Sequence, residues 1–221
     1  MPIEQQLVET RLRNVGVIPI LRRMPEQQLM AVAAAVIAAG VDAIELTLDS
    51  PGALQAIERL RAGYGDRLLV GAGTVMSSKQ LEEGFRAGAQ FFLSPHLDTS
   101  LVRQAQDSGH PFIPGVLTPT EIVQAEQGGA RLMKLFPAGP MGASYLKDIL
   151  GPFHGRAFFP TGGITRGNVT EFIHAGAVGV GIGSALVPKH NIEEQNWEAI
   201  TEHVRGVVRT VRDARQTLQA Q

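Results

Sequence analysis

The sequence predicts an α/β protein, a (β/α)8 TIM barrel with an extra N-terminal helix, and three observations carry that prediction. Short apolar runs rich in β-branched and aromatic residues alternate with longer stretches of helical period along the whole chain. Eight such runs can be counted. A glycine followed by Val or Ala closes a helical stretch just before a strand at Gly40-Val41, Gly88-Ala89, Gly129-Ala130 and Gly176-Ala177. These sites are roughly 40 to 50 residues apart, the length of two βα units, so the pair repeats four times.

Taken in order, residues 1–14 mix Glu4, Glu9, Arg11 and Arg13 with Ile3, Leu7 and Leu12, which reads as an amphipathic opening helix rather than a signal peptide. The first strand is predicted over residues 15–21. A helix over residues 26–39 follows, with Leu29, Val32, Val36 and Ile37 on one stripe. Strands two and three are expected over residues 43–48 and 68–72, then a helix over residues 79–87 with Ser77 and Ser78 as cap candidates. The remaining strands are expected over residues 90–93, 111–114, 131–136, 157–160 and 178–182. Each repeat glycine suits the left-handed end of a helix. A closed eightfold barrel in one domain, residues 1–221, is the simplest arrangement. An open doubly wound sheet is the alternative, because local patterns do not report closure.

Composition narrows the function. With 44% hydrophobic and 19% charged residues the chain is of ordinary globular type. A net charge of −1 supplies no field for nucleic acid or an anionic membrane, so neither is expected as a partner. Cysteine is absent, which excludes disulfides and thiolate metal sites. No run approaches the ~18 apolar residues of a membrane span, and a soluble, cytoplasmic protein is expected.

In a barrel the chemistry sits at the carboxyl ends of the strands. Of the lysines Lys79, Lys134, Lys147 and Lys189, only Lys134 falls inside a strand. Alternation turns Leu132, Lys134 and Phe136 inward and Met133 and Leu135 toward the helices. Burial among apolar side chains favours a neutral amine, and only a neutral amine adds to a ketone to form an imine. Glu45 stands inward on the second strand with Ala43 and Thr47, where a carboxylate must be paired or reactive. It is placed to move protons for the lysine. The structural alternative is a packed lysine stem with its ammonium ion-paired to Glu45.

Two adjacent strand ends are glycine-rich, Thr161-Gly162-Gly163 and Gly181-Ile182-Gly183-Ser184. Loops after strands seven and eight commonly cradle phosphate through backbone N–H groups, although glycines also serve tight turns. Gly71-Ala72-Gly73-Thr74-Val75-Met76 lacks the last glycine of a dinucleotide fingerprint. Arg22, ending strand one, has the fork to grip a carboxylate, or is a surface residue. His96, His110, His154, His174, His190 and His203 are scattered without ligand spacing, so no metal and no organic cofactor are expected.

These residues together resemble the class I 2-keto-3-deoxy-6-phosphogluconate and 4-hydroxy-2-oxoglutarate aldolases. The likeness runs from about Val15 to Val187, through Ile20-Leu21-Arg22, Ile44-Glu45-Leu46-Thr47, Gly71-Ala72-Gly73-Thr74-Val75, Ser94-Pro95-His96, Pro114-Gly115, Met133-Lys134-Leu135-Phe136-Pro137, Pro160-Thr161-Gly162-Gly163 and Gly181-Ile182-Gly183-Ser184. It implies Lys134 as the imine-forming lysine and Glu45 as the general acid/base. It further implies that Thr74, Phe136 and Thr161 line a pyruvate pocket, with Pro95 among the substrate-binding positions. Gly162, Gly163, Gly183 and Ser184 would hold phosphate, the substrate would be a phosphorylated keto-deoxy acid, and the assembly a homotrimer. Some members carry arginine just after strand two, where this chain has Leu48-Asp49-Ser50-Pro51. Arg22 matches members with arginine at the end of strand one and takes that role. The related phosphogalactonate aldolases share the strand-one arginine and a Ser-Pro after strand two, as at Ser50-Pro51, which leaves the C4 epimer open. A non-catalytic sugar-phosphate barrel, or a phosphosugar isomerase, would keep the glycine cradle without needing both Lys134 and Glu45.

Overall fold

Gly16, with φ of +77°, lets helix α1 (Ile3–Val15) stop and strand β1 (Val17–Leu21) begin within two residues. The structure is a computed structural model that describes residues 3–24 and 26–219. Met1 and Pro2 of the expected opening helix lie outside the described residues. Helices and strands then alternate through α2 (Glu26–Ala38), β2 (Ala43–Thr47), α3 (Ala53–Tyr64), β3 (Leu69–Gly73), α4 (Ser78–Arg86), β4 (Phe91–Leu93) and α5 (Thr99–Asp107). The second half continues with β5 (Phe112–Ile113), β6 (Gly115–Val116), α6 (Pro119–Gln127), β7 (Leu132–Leu135), α7 (Gly142–Leu150), β8 (Ala157–Pro160), α8 (Val169–His174), β9 (Val180–Ile182), α9 (Lys189–Glu193) and α10 (Trp197–Gln219).

Local chemistry sets these boundaries. Ser77 caps α4 by accepting from the Gln80 N–H, as the sequence suggests, and Thr118 and Glu121 close a capping box on α6. The four repeat glycines adopt φ of +91°, +88°, +101° and +106° at positions 40, 88, 129 and 176. Each reverses the chain from helix into strand through a left-handed residue, as expected.

All strand pairs are parallel. One sheet has six strands in the order β5-β4-β3-β2-β1-β9, the other three in the order β6-β7-β8. The order is sequential, with the last strand beside the first, and has none of the reversal of a doubly wound sheet. The fold is α/β with a curled parallel sheet, but the ladder is not one uninterrupted eight-stranded ring. The fifth expected strand, residues 111–114, is found as the short β5, and a further short strand outside those bounds, β6, follows Pro114 and belongs to the other sheet. Pro114 separates them: it has no N–H to donate, and its carbonyl accepts instead from Lys134 N at 2.9 Å. β8 and β9 pack together without a ladder: a single isolated bridge, Thr161 to Gly181, and a hydrogen bond from Val178 N to Phe158 O at 3.1 Å join them.

The period-2 alternation sorts the strand side chains into two buried clusters. Ile44, Leu46, Val70, Phe92, Met133, Leu135 and Phe158 pack with the helices. Ile18, Ala43, Leu69, Phe91, Leu93, Leu132 and Phe159 pack on the opposite face, inside the curl, where Val8 and Leu12 of α1 join them. The extra N-terminal helix thus closes the amino-terminal end of the sheet and leaves the carboxyl ends for chemistry. Helix α10, which the strand-and-helix pattern did not single out, packs on α2 and α8 with Ile200, Val204, Val207 and Val211 buried. Arg215 on it donates to the carbonyls of Arg13, Asn14 and Val178, tying the last helix to the end of α1 and to the segment before β9.

Candidate active site

Glu45 is the middle residue of β2, in register with Ile20 of β1 and Gly71 of β3. It is fully buried, and neither carboxyl oxygen has a hydrogen-bond partner. Burial pushes its carboxyl above the usual value, against the pull of the nearby Lys134 and Arg22 charges, while Asp49 adds to the rise. The space for this side chain comes from Gly73. A Cβ there would lie 1.8 Å from Glu45 Oε1, so any other residue would evict the carboxyl group.

Lys134 stands in β7 in register with Gly115 on one side and Phe159 on the other. It is 5% exposed, and its Nζ lies 5.1 Å from the centre of the Phe136 ring. Among the ion pairs of the described residues none joins Lys134 to Glu45. The structural alternative, a lysine retired into a salt bridge, is therefore not the arrangement found. The two groups remain electrostatic neighbours, each without the partner that would neutralise it, in the setting expected of reactive groups.

Around them stand the other strand ends. Thr74, directly after β3, has φ of +58°, a left-handed conformation that a threonine adopts only under constraint. Thr161 is buried, and its hydroxyl donates to Phe159 O at 3.2 Å. Its neighbour across the bridge must be glycine, because a Cβ on Gly181 would lie 2.4 Å from Thr161 Oγ1. Pro95 is half-buried with its carbonyl against Gly115, where a Cβ would approach to 2.4 Å. Phe136 is half-buried, and its ring packs against Gly162.

Gly162 and Gly163 have φ of +84° and +77°. Their carbonyls are engaged, Gly162 O by Gly139 N at 2.7 Å and Gly163 O by Asn168 Nδ2 at 2.9 Å. The Thr161–Gly181 bridge sets this loop beside Gly183 and Ser184. Gly183 differs from its fellows: φ is not positive there, and a Cβ would meet only Ile20 O, at 3.9 Å. Nothing in the chain's own packing requires glycine at that point.

Arg22 is the member drawn least into the cluster. Its side chain is 52% exposed and bound to Asp49, with Nε and Nη2 donating to Oδ2 at 3.1 and 2.8 Å. The pairing of Asp49 with Arg22, the room that Gly73 and Gly139 leave for neighbours on other elements and the hold of Asn168 on its own loop were not legible in the sequence. Only the Leu48-Asp49-Ser50-Pro51 departure offered a signal.

A buried amine and a buried carboxyl on the strands of a curled parallel sheet suit an aldolase, a carbon–carbon lyase. The chain belongs to the KDPG and KHG aldolase family, whose model matches residues 8–203. A 2-dehydro-3-deoxy-6-phosphogalactonate aldolase of Escherichia coli (strain K12) is 36% identical over 174 residues, 78% of this chain and 85% of the relative. A 2-dehydro-3-deoxy-phosphogluconate aldolase of Dickeya dadantii (strain 3937) is 37% identical over 193 residues, 87% and 90% of the two chains. The crystal structure of a KDPG aldolase from Legionella pneumophila, with pyruvate captured at low pH as a covalent carbinolamine intermediate, superposes with a TM-score of 0.82. That pair is 36% identical and covers 88% of this chain and 95% of the other.

Proposed function

We propose that the chain is a Schiff-base aldolase that cleaves 2-keto-3-deoxy-6-phosphogluconate to pyruvate and glyceraldehyde 3-phosphate, with 4-hydroxy-2-oxoglutarate as a lesser substrate. The observation that carries this reading is the joint burial of Lys134 and Glu45 without ion pair or hydrogen bond between them. The Legionella pneumophila relative, with its carbinolamine of pyruvate, supports the same covalent chemistry. The active cavity is read as the mouth of one closed barrel, in which β5 and β6 are a single strand broken at Pro114 and the Thr161–Gly181 bridge joins the two sheets. Three copies are taken to assemble, which light scattering on the purified chain would check.

In this mechanism Lys134 Nζ adds to the C2 ketone. Glu45, whose burial favours its protonated form, gives a proton to the C2 hydroxyl, which leaves as water to form the iminium. Glu45 then accepts the C4 hydroxyl proton as the C3–C4 bond breaks, and the bonding electrons flow into the iminium to give an enamine. Glyceraldehyde 3-phosphate departs, C3 is reprotonated, and hydrolysis returns pyruvate and the free lysine. Thr74, Pro95, Phe136 and Thr161 line the pyruvate end, Arg22 holds the carboxylate, and Gly162, Gly163, Gly183 and Ser184 hold the phosphate. A second reading, the galactonate epimer as substrate, is favoured by the strand-one arginine, the Ser50-Pro51 step and the E. coli relative.

Phosphate is the part most open to test. Two charge-assisted hydrogen bonds at about 1.5 to 3 kcal/mol each amount to a preference of roughly a hundredfold or more over an unphosphorylated substrate. Because Gly183 has open space where a side chain would stand, Gly183→Val should fold normally. It should lose at least about tenfold in kcat/KM on the phosphorylated acids, with little loss on 4-hydroxy-2-oxoglutarate. Equal losses on both would mean that Gly183 serves the fold, and equal rates with the unaltered enzyme would remove the phosphate site. Assaying both C4 epimers in the same experiment decides between the two readings.

A further inference from the structure

The geometry points to Asp49 as a positioning residue that presets Arg22 for the substrate carboxylate, an inference that rests on reading Arg22 as the carboxylate grip. Asp49 lies two residues beyond β2 and Arg22 one residue beyond β1, on neighbouring strands whose register pairs Leu21 with Leu46. Both Arg22 Nε and Arg22 Nη2 reach the same oxygen, Asp49 Oδ2. That side-on contact uses the inner edge of the guanidinium. The end-on fork, formed by Nη1 and the second Nη2 hydrogen, is left for another planar anion.

Asp49 is the anchored partner. Its side chain is 21% exposed against 52% for Arg22. Its segment is pinned as well: Ser50 Oγ accepts from Arg23 N at 2.7 Å and stands 2.9 Å from Thr47 Oγ1. Arg23 Nε also meets Asp49 Oδ2, at 3.3 Å. Two guanidiniums on one carboxylate leave the cluster with a net positive charge, so the pairing does not cancel attraction for a substrate anion. Charge–charge attraction is screened at a half-exposed arginine. Holding a long, mobile side chain in one rotamer before binding is then the larger effect.

The test is a double-variant cycle read by calorimetric titration of pyruvate and by steady-state kinetics. Arg22→Ala is expected to weaken pyruvate about tenfold or more. Asp49→Ala is expected to weaken it about fivefold to tenfold, raising KM for the full substrate more than it lowers kcat. Asp49→Asn, which keeps one acceptor, should fall between Asp49→Ala and the unaltered enzyme. The doubly substituted protein should bind no worse than Arg22→Ala, because a residue that acts through Arg22 has nothing left to orient. Additive losses, or pyruvate bound as well or better by Asp49→Ala, would overturn the assignment of Asp49. Unchanged pyruvate affinity in Arg22→Ala would instead remove Arg22 as the carboxylate grip, and the role of Asp49 with it.

Discussion

Glu45 is held where water cannot reach it and where no donor meets it, so its proton is bound more tightly in the folded chain than in the unfolded one. A carboxyl with a raised folded value contributes stability that is present below its ordinary value of 4.5 and is lost as pH rises through the folded value. Glu45→Gln has no charge to bury and escapes that loss. The thermal midpoint of the variant should therefore gain on the unaltered protein as pH rises from about 4 to 8, while aldol cleavage falls roughly 100- to 10,000-fold. Glu9, also raised by burial, is present in both proteins and cancels in the comparison. A constant gap between the two midpoints across that range would contradict the burial argument. Glu45 and Lys134 were legible in the sequence because strand alternation alone turns them inward. Asp49 and Gly73 were not, since their roles depend on which strand ends become neighbours.

At the scale of elements, the four helix-ending glycines were the firmest signal in the sequence, and all four take left-handed conformations. They are not equivalent. A Cβ at Gly40 meets nothing within 4 Å, whereas one at Gly176 would lie 2.6 Å from Leu150 Cδ1. Gly40→Ala should cost only the backbone strain, about 1 to 2 kcal/mol. Gly176→Ala should cost more, because Leu150 must also move. Denaturant unfolding of the two variants checks this, and a Gly176→Ala as mild as Gly40→Ala would count against the packing described. Strand ends were less legible. Val15 is apolar and β-branched but belongs to α1, because Gly16 makes the turn after it rather than before. Pro114 ends the run that reads as the fifth strand, yet the extended chain resumes after it as β6, and the missing N–H of Pro114 divides the ladder there.

For the whole molecule, sequence periodicity conveyed the α/β class, the opening helix and the helix and sheet faces. Which strands become neighbours was beyond it, because that depends on pairing between residues far apart in the chain, as between β1 and β9, and on breaks such as the one that divides the strands into two sheets. The account as a whole turns on a covalent bond between pyruvate and Lys134. Sodium borohydride added with pyruvate reduces an iminium to a stable secondary amine, and peptide mass spectrometry then names the lysine. The expected result is one reduced pyruvate per chain, on the peptide carrying Lys134, with no adduct in Lys134→Ala. No adduct in the unaltered protein, or an adduct on Lys79, Lys147 or Lys189 in its place, would contradict the mechanism.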